Sequence, residues 1–397
     1  MSGEGKAETP QVTPWDVEGD VDYDKLIRDF GCHPIDEGLI QRMESLTGKR
    51  AHHFLRRGIF FSHRDLHLLL DLYEKGQPFY LYTGRGPSSE SMHTGHLVPF
   101  MFTKWLQDTF QVPLVIQITE DEKFYFKDLT IEEVEKLAFE NIKDIIAMGF
   151  NRDTTFIFRD FEYVGTMYRT IARIEKAMTA SQVRGCFGFK MEDNVGKWMF
   201  PAIQAAPSFS VCFPHIFNPK KQVFCLIPQA IDQDPYFRMT RDIAPRLGFL
   251  KPALIHSKFF PGLSGSKGKM SSSVGAAVFL TDSEKQIKDK INKHAFSGGG
   301  ATKEEHLSLG GNTEVDVPIQ WLSFFLEDDD TLNTIKKDYA LGRIMTGDVK
   351  KTLITILWSM VKTHQEARKK VTDEDVKFFT SVRPIQALPN AAAPGSQ

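Results

Sequence analysis

The chain has 397 residues, with 49 Lys and Arg against 51 Asp and Glu. A formal charge of −2 excludes a protein that grips nucleic acid by bulk positive charge, so any RNA contact must come from a local patch. A hydrophobic fraction of 41% with 25% charged residues fits a globular chain of two or more domains, and no apolar run approaches the ~20 residues of a membrane span. Cys32, Cys186, Cys212 and Cys225 are scattered without paired spacing, which predicts reduced thiols in a cytosol and no disulfide framework.

Residues 1–10 read as a disordered tail, and the first twenty are too acidic and polar for a secretory signal or a mitochondrial presequence. Trp15 follows among acids, as packing at a domain edge. Asp36 to Lys75 holds two helical patterns, Gly38 to Thr47 and Ser62 to Tyr73. The basic HHFLRRG between them, with His52, His53, Arg56 and Arg57, is either an RNA patch or a solvated turn. Phe79 to Tyr82 is a buried strand that stops at the Gly/Pro/Ser turn Thr83 to Ser89. A helix then begins near Ser91, its apolar face built by Leu97, Met101 and Trp105 with Val98, Phe102 and Leu106.

The start of that helix carries His93, Thr94, Gly95 and His96. Free N–H groups and the dipole favour an anion at a helix N-terminus, and a glycine lets it approach the backbone. Residues three apart share a face, so both imidazoles can add donors to a phosphate. Zinc is not indicated, because no cysteine pair or third ligand stands nearby.

Val112 to Thr119 is a second buried strand. A capping box from Thr130 to Glu133 then opens a helix with the stripe Val134, Ala138, Ile142 and Ile145. Thr154 to Phe158 is a third strand. Alternating strands and helices predict a parallel α/β sheet, whose ligands bind at the strands' carboxyl ends, where Thr83 to Gly86 lie. Thr166 to Phe200 is helical and then irregular. Val223 to Ile227 is a strand ending in a polar turn, and Ala253 to Phe260 is strand-like.

The loop Gly265 to Gly275 follows, with Lys267, Lys269, Met270 and three consecutive serines. It suits a polyphosphate that arrives and leaves, or is a plain Gly/Ser linker. A second capping box, Thr281 to Glu284, introduces elements that all read as helices, placing a boundary near residue 276. One helix has the stripe Val349, Leu353, Ile356 and Met360. The acidic run Glu327 to Asp330 reads as a helix-end loop. Lys336 to Lys370 holds nine Lys/Arg against three Asp/Glu, either a solvated surface or an RNA face.

His93-Thr94-Gly95-His96 resembles the HIGH signature, and Lys269-Met270-Ser271-Ser272-Ser273 the KMSKS signature, of class I aminoacyl-tRNA synthetases. The stretches TGRGPSS, IQAAPSF (Ile203 to Phe209), AIDQDPYFR (Ala230 to Arg238) and HAFSGG (His294 to Gly299) narrow the resemblance to the eukaryotic-type, cytosolic tryptophanyl branch. It spans nearly the whole chain from about Val12. Two positions depart from the signatures: Thr94 replaces isoleucine, and Ser272 replaces the second lysine, which removes one positive charge from the pyrophosphate grip.

The resemblance implies an α/β fold, with a Rossmann-like parallel-sheet catalytic domain and a C-terminal all-helical anticodon-binding domain. Its divisions would be 1–10 tail, 11–75 N-terminal extension, 76–275 catalytic domain, 276–372 helical domain, and 373–397 a C-terminal segment able to return to the catalytic domain. It implies ATP-dependent activation of L-tryptophan and transfer to tRNA(Trp) by a cytoplasmic homodimer, with Mg2+ accompanying ATP and no membrane or DNA partner.

By the same resemblance Tyr82 and Gln117 would meet the indole. Glu122, Gln204 and Gln233 would hold the ammonium, and Lys123 the carboxylate. ATP would lie on Gly84, Arg85, Gly86, His93, Gly95, His96, Lys269, Met270, Ser271, Ser272 and Ser273. Catalysis would fall to His93, His96, Lys269, Ser271 and Arg85, with no protein-held metal. Physical chemistry adds that an indole N–H only donates, so its pocket needs an acceptor, and that a glutamine inside a buried strand needs partners. A tyrosyl enzyme shares both signatures, a nucleotidylyltransferase shares the first, and a non-catalytic scaffold that retains the fold stays open.

Overall fold

The computed structural model describes residues 22–265 and 277–385. Their strands form one sheet of β1 (His33–Pro34), β2 (Phe60–Arg64), β3 (Phe79–Arg85), β4 (Leu114–Ile118), β5 (Thr155–Arg159), β6 (Phe224–Ala230) and β7 (Ala253–Ser257). The order is β1-β2-β7-β6-β3-β4-β5, parallel from β7 to β5 with β1 and β2 antiparallel at one edge. Helices cover both faces, so the parallel strands are apolar on both sides. Phe79 and Leu81 enter one core with the helix Thr94–Phe110, while Tyr80 and Tyr82 enter the other with the helices that follow β5.

Strand order reverses between β3 and β6, and there the sheet opens. These strands pair only from Phe79 to Leu81 and from Phe224 to Leu226. Beyond that, β3 continues on β4 to Arg85 and β6 continues on β7 to Ala230. Pro228 lies in this part of β6, where a strand without a neighbour on one side tolerates a residue that has no N–H. Both strands therefore run three residues past the ends expected at Tyr82 and Ile227. Thr83 to Arg85 hydrogen-bond to Ile116 to Ile118 despite their turn-like composition, because pairing to a neighbour outweighs local preference.

Other corrections have similar causes. Ser62 to Arg64 are strand and not helix, held antiparallel to β7, so the helix starts at Leu66. The helix expected near Ser91 starts at Thr94, with His93 as its cap. The stretch read as irregular ends in a helix, Val195–Ala205. The second capping box is Ser283–Gln286, two residues later than expected.

After residue 276 all described elements are helical: Glu284–His294, Lys303–Leu309, Val317–Phe325, Asp329–Ala340, Thr346–Arg368 and Asp373–Thr380. The long helix buries Val349, Leu353, Leu357 and Val361, a strict four-residue stripe that leaves Ile356 and Met360 half-buried. Helix Asp373–Thr380 packs on β5, where Arg383 donates to Thr155 O at 3.0 Å.

The basic stretch left open by the sequence meets the acidic run Glu327 to Asp330. Arg56 and Arg57, only 20% and 11% exposed, both pair with Asp329, at 2.6 and 2.7 Å. Arg57 also donates to Ser323 O and Leu326 O, and His53 Nε2 bonds Phe324 O at 2.8 Å. The basic HHFLRRG is thus a clamp on the helical domain and not an RNA patch. Arg368 is likewise structural, with Glu140 at 2.5 Å and Asp144 at 2.6 Å.

Candidate active site

The parting of β3 and β6 leaves a cavity of about 420 Å³. Every site residue chosen from the sequence that lies among the described residues lines it. Tyr82, Gly84, Arg85 and Gly86 come from the end of β3, His93, Gly95 and His96 from the helix start, and Gln117 from β4. Glu122 and Lys123 come from the helix Glu120–Phe126, Gln204 from Val195–Ala205, and Gln233 from the turn after β6. Lys269, Met270, Ser271, Ser272 and Ser273 lie outside the described residues. The chain that resumes after them is strapped to the histidine turn: Thr94 N donates to Val278 O and Leu280 N to Met92 O, both at 2.9 Å.

His93 N donates to His96 Nδ1 at 3.3 Å, and the two rings stack with centroids 3.4 Å apart. An accepting Nδ1 puts the proton of a neutral His96 ring on Nε2, where it is a donor. Asp144 Oδ2 accepts from Met92 N at 3.3 Å and steadies the turn from below. A side chain at Gly95 would stand 3.1 Å from His93 Cε1, and one at Gly86 2.5 Å from Glu122 Oε2. A side chain at Gly95 would press on the His93 ring, and one at Gly86 would displace the ends of Glu122 and Lys123.

Arg85 is buried, its Nε donating to Asn141 Oδ1 at 2.9 Å. Its Nη2 has no partner among the described residues, and burial pulls the guanidinium down to about 10. A buried unpaired N–H is costly, so an incoming phosphate would supply what it lacks. Glu122 and Lys123 pair with each other at 2.9 Å, and Thr119 donates to Glu122 at 3.1 Å. The pair presents one negative and one positive group side by side, the complement of an amino-acid zwitterion.

The register sets Tyr82 opposite Val115, two residues before Gln117, so Tyr82 and Gln117 share one face of the sheet. The Tyr82 hydroxyl lies 2.5 Å from Gln117 Oε1 and 2.9 Å from Gln204 O. Gln117 Nε2 donates to Asp160 Oδ1 at 2.8 Å. Behind Asp160 stands Glu120, which accepts from the N–H groups of Asp160 and Phe161 at 3.2 Å, with Asp121 beside it. Burial, reinforced by Asp121, pushes the Glu120 carboxyl up to about 7, and burial raises Asp121 to about 6.

A carboxyl whose folded pKa is raised binds its proton more readily in the native state, so stability falls as pH rises from about 4.3 through the folded value. Replacing Glu120 with Gln is therefore expected to flatten the decline of the unfolding midpoint between pH 5 and 8. Identical slopes in calorimetry of the two proteins would refute this.

Sequence reasoning missed Asn141, Asp160, Gln229 and Tyr236. Gln229 and Tyr236 line the cavity, both buried, and neither amide atom of Gln229 nor the Tyr236 hydroxyl has a partner among the described residues. The signal for Gln229 was a glutamine next to Pro228, hidden when β6 was ended at Ile227. Cys32, Asp234 and His256 bring possible metal ligands within 4.8 Å of one another, but Arg64 forks Asp234 at 2.7 and 2.8 Å and stands where a cation would.

A family model described as tRNA synthetases class I (W and Y) matches residues 74–362. A cytoplasmic tryptophan–tRNA ligase of Homo sapiens is 58% identical over 388 residues, 96% of this chain and 82% of that protein. The corresponding Arabidopsis thaliana protein is 55% identical, with 97% of each chain covered. Among solved structures, a tryptophanyl-tRNA synthetase from Trypanosoma brucei is 67% identical, with a TM-score of 0.80 over 91% of this chain and 98% of that one. One from Encephalitozoon cuniculi bound to tryptophan is 40% identical, with a TM-score of 0.83 over 91% of this chain and all of that one.

Proposed function

The chain belongs to the class I tRNA synthetases of the tryptophan and tyrosine family, as a tryptophan–tRNA ligase, and on that premise we propose how its cavity divides the work between amino acid and ATP. The carrying observation is that the phosphate-suited histidine turn and the acceptor-bearing Tyr82–Gln117 wall open into the same space.

The indole N–H donates to Gln117 Oε1, which accepts from Tyr82 but has a second lone pair. The substrate ammonium takes Glu122, with Gln204 and Gln233 near it, and the carboxylate takes Lys123, so the zwitterion exchanges places with an existing ion pair. A carboxylate oxygen then attacks the α-phosphorus of ATP. The bond from that phosphorus to the β-bridging oxygen breaks, pyrophosphate leaves, and tryptophanyl-adenylate remains. In the second step a ribose hydroxyl at the tRNA 3′ end attacks the adenylate carbonyl and releases AMP.

No protein nucleophile is needed. Arg85, His93 and His96 hold and stabilise phosphoryl charge, and Lys269 and Ser271 do so from the loop. Mg2+ fits as part of the substrate, on the phosphates of ATP, because the carboxylates in the lining are engaged: Glu122 by Lys123 and Asp232 by Gln233. ATP–pyrophosphate exchange with each of the twenty amino acids tests the reading. Exchange stimulated best by tyrosine, or by none, would overturn it.

The helical domain is proposed to bind tRNA. Arg368 is spoken for and Lys350 is half-buried, but Lys351, Lys362 and Lys369 are exposed. Spacings of eleven and seven residues return to the same side of a helix, so the three form one basic line. Neutralising all three should weaken tRNA binding and make its dependence on log salt shallower by about 0.7–0.9 for each phosphate no longer neutralised, with amino-acid activation intact. Unchanged affinity and slope in filter binding would leave the line a solvated surface.

A cytoplasmic homodimer is the proposed assembly. Val195 and Met199, 69% and 42% exposed, stand one turn apart on the helix Val195–Ala205, an apolar patch that a partner copy would cover. Val195→Asp with Met199→Asp is expected to shift the sedimentation mass from two chains to one. A single-chain mass for the unaltered protein would exclude the dimer.

A further inference from the structure

Gln117 carries a donor at one end of its amide and an acceptor at the other, so its orientation decides what the pocket recognises. With the carbonyl at the cavity it accepts an indole N–H. Turned over, it would set N–H against N–H.

The Tyr82 hydroxyl does not fix this choice, because a hydroxyl can donate to a carbonyl or accept from an NH2. Ile203 O is an acceptor for Nε2 but a distant one, at 3.4 Å. Asp160 Oδ1 stands at 2.8 Å from Nε2. We propose that Asp160 is a specificity-determining positioning residue, whose carboxyl behind Gln117 keeps the amide nitrogen turned away from the substrate and the amide carbonyl turned toward it. The inference rests on the reading of Gln117 as the indole partner.

The fold holds Asp160 for this task. It follows the last residue of β5 and opens the helix Asp160–Ala177, and Glu120 accepts from its N–H and from that of Phe161. Its side chain is buried, with the Asp121 carboxyl within hydrogen-bonding reach on its other side. Burial, with Asp121 and Glu120 alongside, raises its carboxyl well above the ordinary range. The carboxyl offers an oxygen to Nε2 in either protonation state. An asparagine offers the same oxygen in the same place, so the role belongs to an acceptor and not to a charge.

The test compares Asp160→Ala, Asp160→Asn and Gln117→Ala in ATP–pyrophosphate exchange, with tryptophan and with its benzothiophene isostere, which has sulfur in place of N–H. Asp160→Ala should raise the KM for tryptophan about tenfold with little change in kcat, the order expected when a buried polar group loses its partner. The KM for the isostere should hardly move, and Asp160→Asn should restore the tryptophan value. Should the alanine variant not fold, Asp160→Ser, too short to reach the amide, carries the same expectation.

Equal losses for both ligands, or no rescue by asparagine, would reduce Asp160 to a packing residue and overturn the proposal. Combined with Gln117→Ala, the Asp160→Ala loss should vanish, since the amide it orients is gone. Additive losses would also overturn the proposal. If Gln117→Ala itself fails to distinguish the two ligands, the reading of the pocket fails. If it distinguishes them and Asp160→Ala does not, only the inference fails.

Discussion

Replacing His96 with alanine lowers tryptophan-dependent ATP–pyrophosphate exchange by about 10²–10³-fold, the effect expected when one preorganised donor to a charged transition state is removed. Its structural cost is small by comparison. The side chain is half-buried and closes the first turn through a 3.3 Å bond from His93 N, a cap whose loss costs on the order of 1 kcal/mol. Activity and stability therefore separate: kcat falls by orders of magnitude while the unfolding midpoint shifts by a few degrees.

Lys269→Ala is expected to behave in the same way. Lys269 lies outside the described residues, and the chain that resumes at residue 277 is bonded to the histidine turn through Val278 and Leu280. Exchange kinetics within threefold of the unaltered enzyme in either variant would remove that residue from the chemistry.

Replacing Arg64 with alanine has the largest expected effect on stability. Asp234 is fully buried, and Arg64 forks both of its oxygens at 2.7 and 2.8 Å, with His256 Nε2 at 3.0 Å. Removing one partner of such a pair leaves a buried charge uncompensated, at about 3–5 kcal/mol. Burial alone would raise the Asp234 carboxyl, but Arg64 and His256 hold it well below the usual carboxylate range. A depressed carboxyl contributes stability above its unfolded pKa and loses it as pH falls, so the difference between the proteins is full at pH 7 and shrinks on acidification.

Arg64 also donates to Phe30 O and Gly31 O, which close the N-terminal helix Tyr23–Phe30. That helix packs Tyr23 on Phe61 and Phe259, and Phe259 lines the cavity, as does Gln233, the neighbour of Asp234. The variant should thus raise the KM for tryptophan as well. Urea unfolding at pH 7 measures the first effect, and a loss below 1 kcal/mol would show that water or rearrangement satisfies the carboxylate.

The sequence determined the parts of this protein that depend on neighbours along the chain. The strand, glycine turn and helix that carry His93 and His96 follow from residue types and the 3.6 period, and so does the capping box Thr130–Glu133. Two signatures about 170 residues apart pointed to a phosphate and to a family, and the residues that family implied line one cavity wherever they are described.

Only the tertiary structure decided where that cavity opens. β3 and β6 part after three paired residues, a fact about two strands distant in sequence, and composition had placed the ends of both strands too early. Only the fold gave the charges their partners. Arg56 and Arg57 meet Asp329, and Arg368 meets Asp144, across more than two hundred residues, which turned two basic patches partly into clamps. Asp160 was invisible for the same reason. Alone it is an acid at a helix start, and its hydrogen bond to Gln117 exists because β4 and β5 run side by side. Period and propensity are read within a few turns of chain, whereas the polarity of a buried amide is set by whatever the packed fold puts against each of its ends.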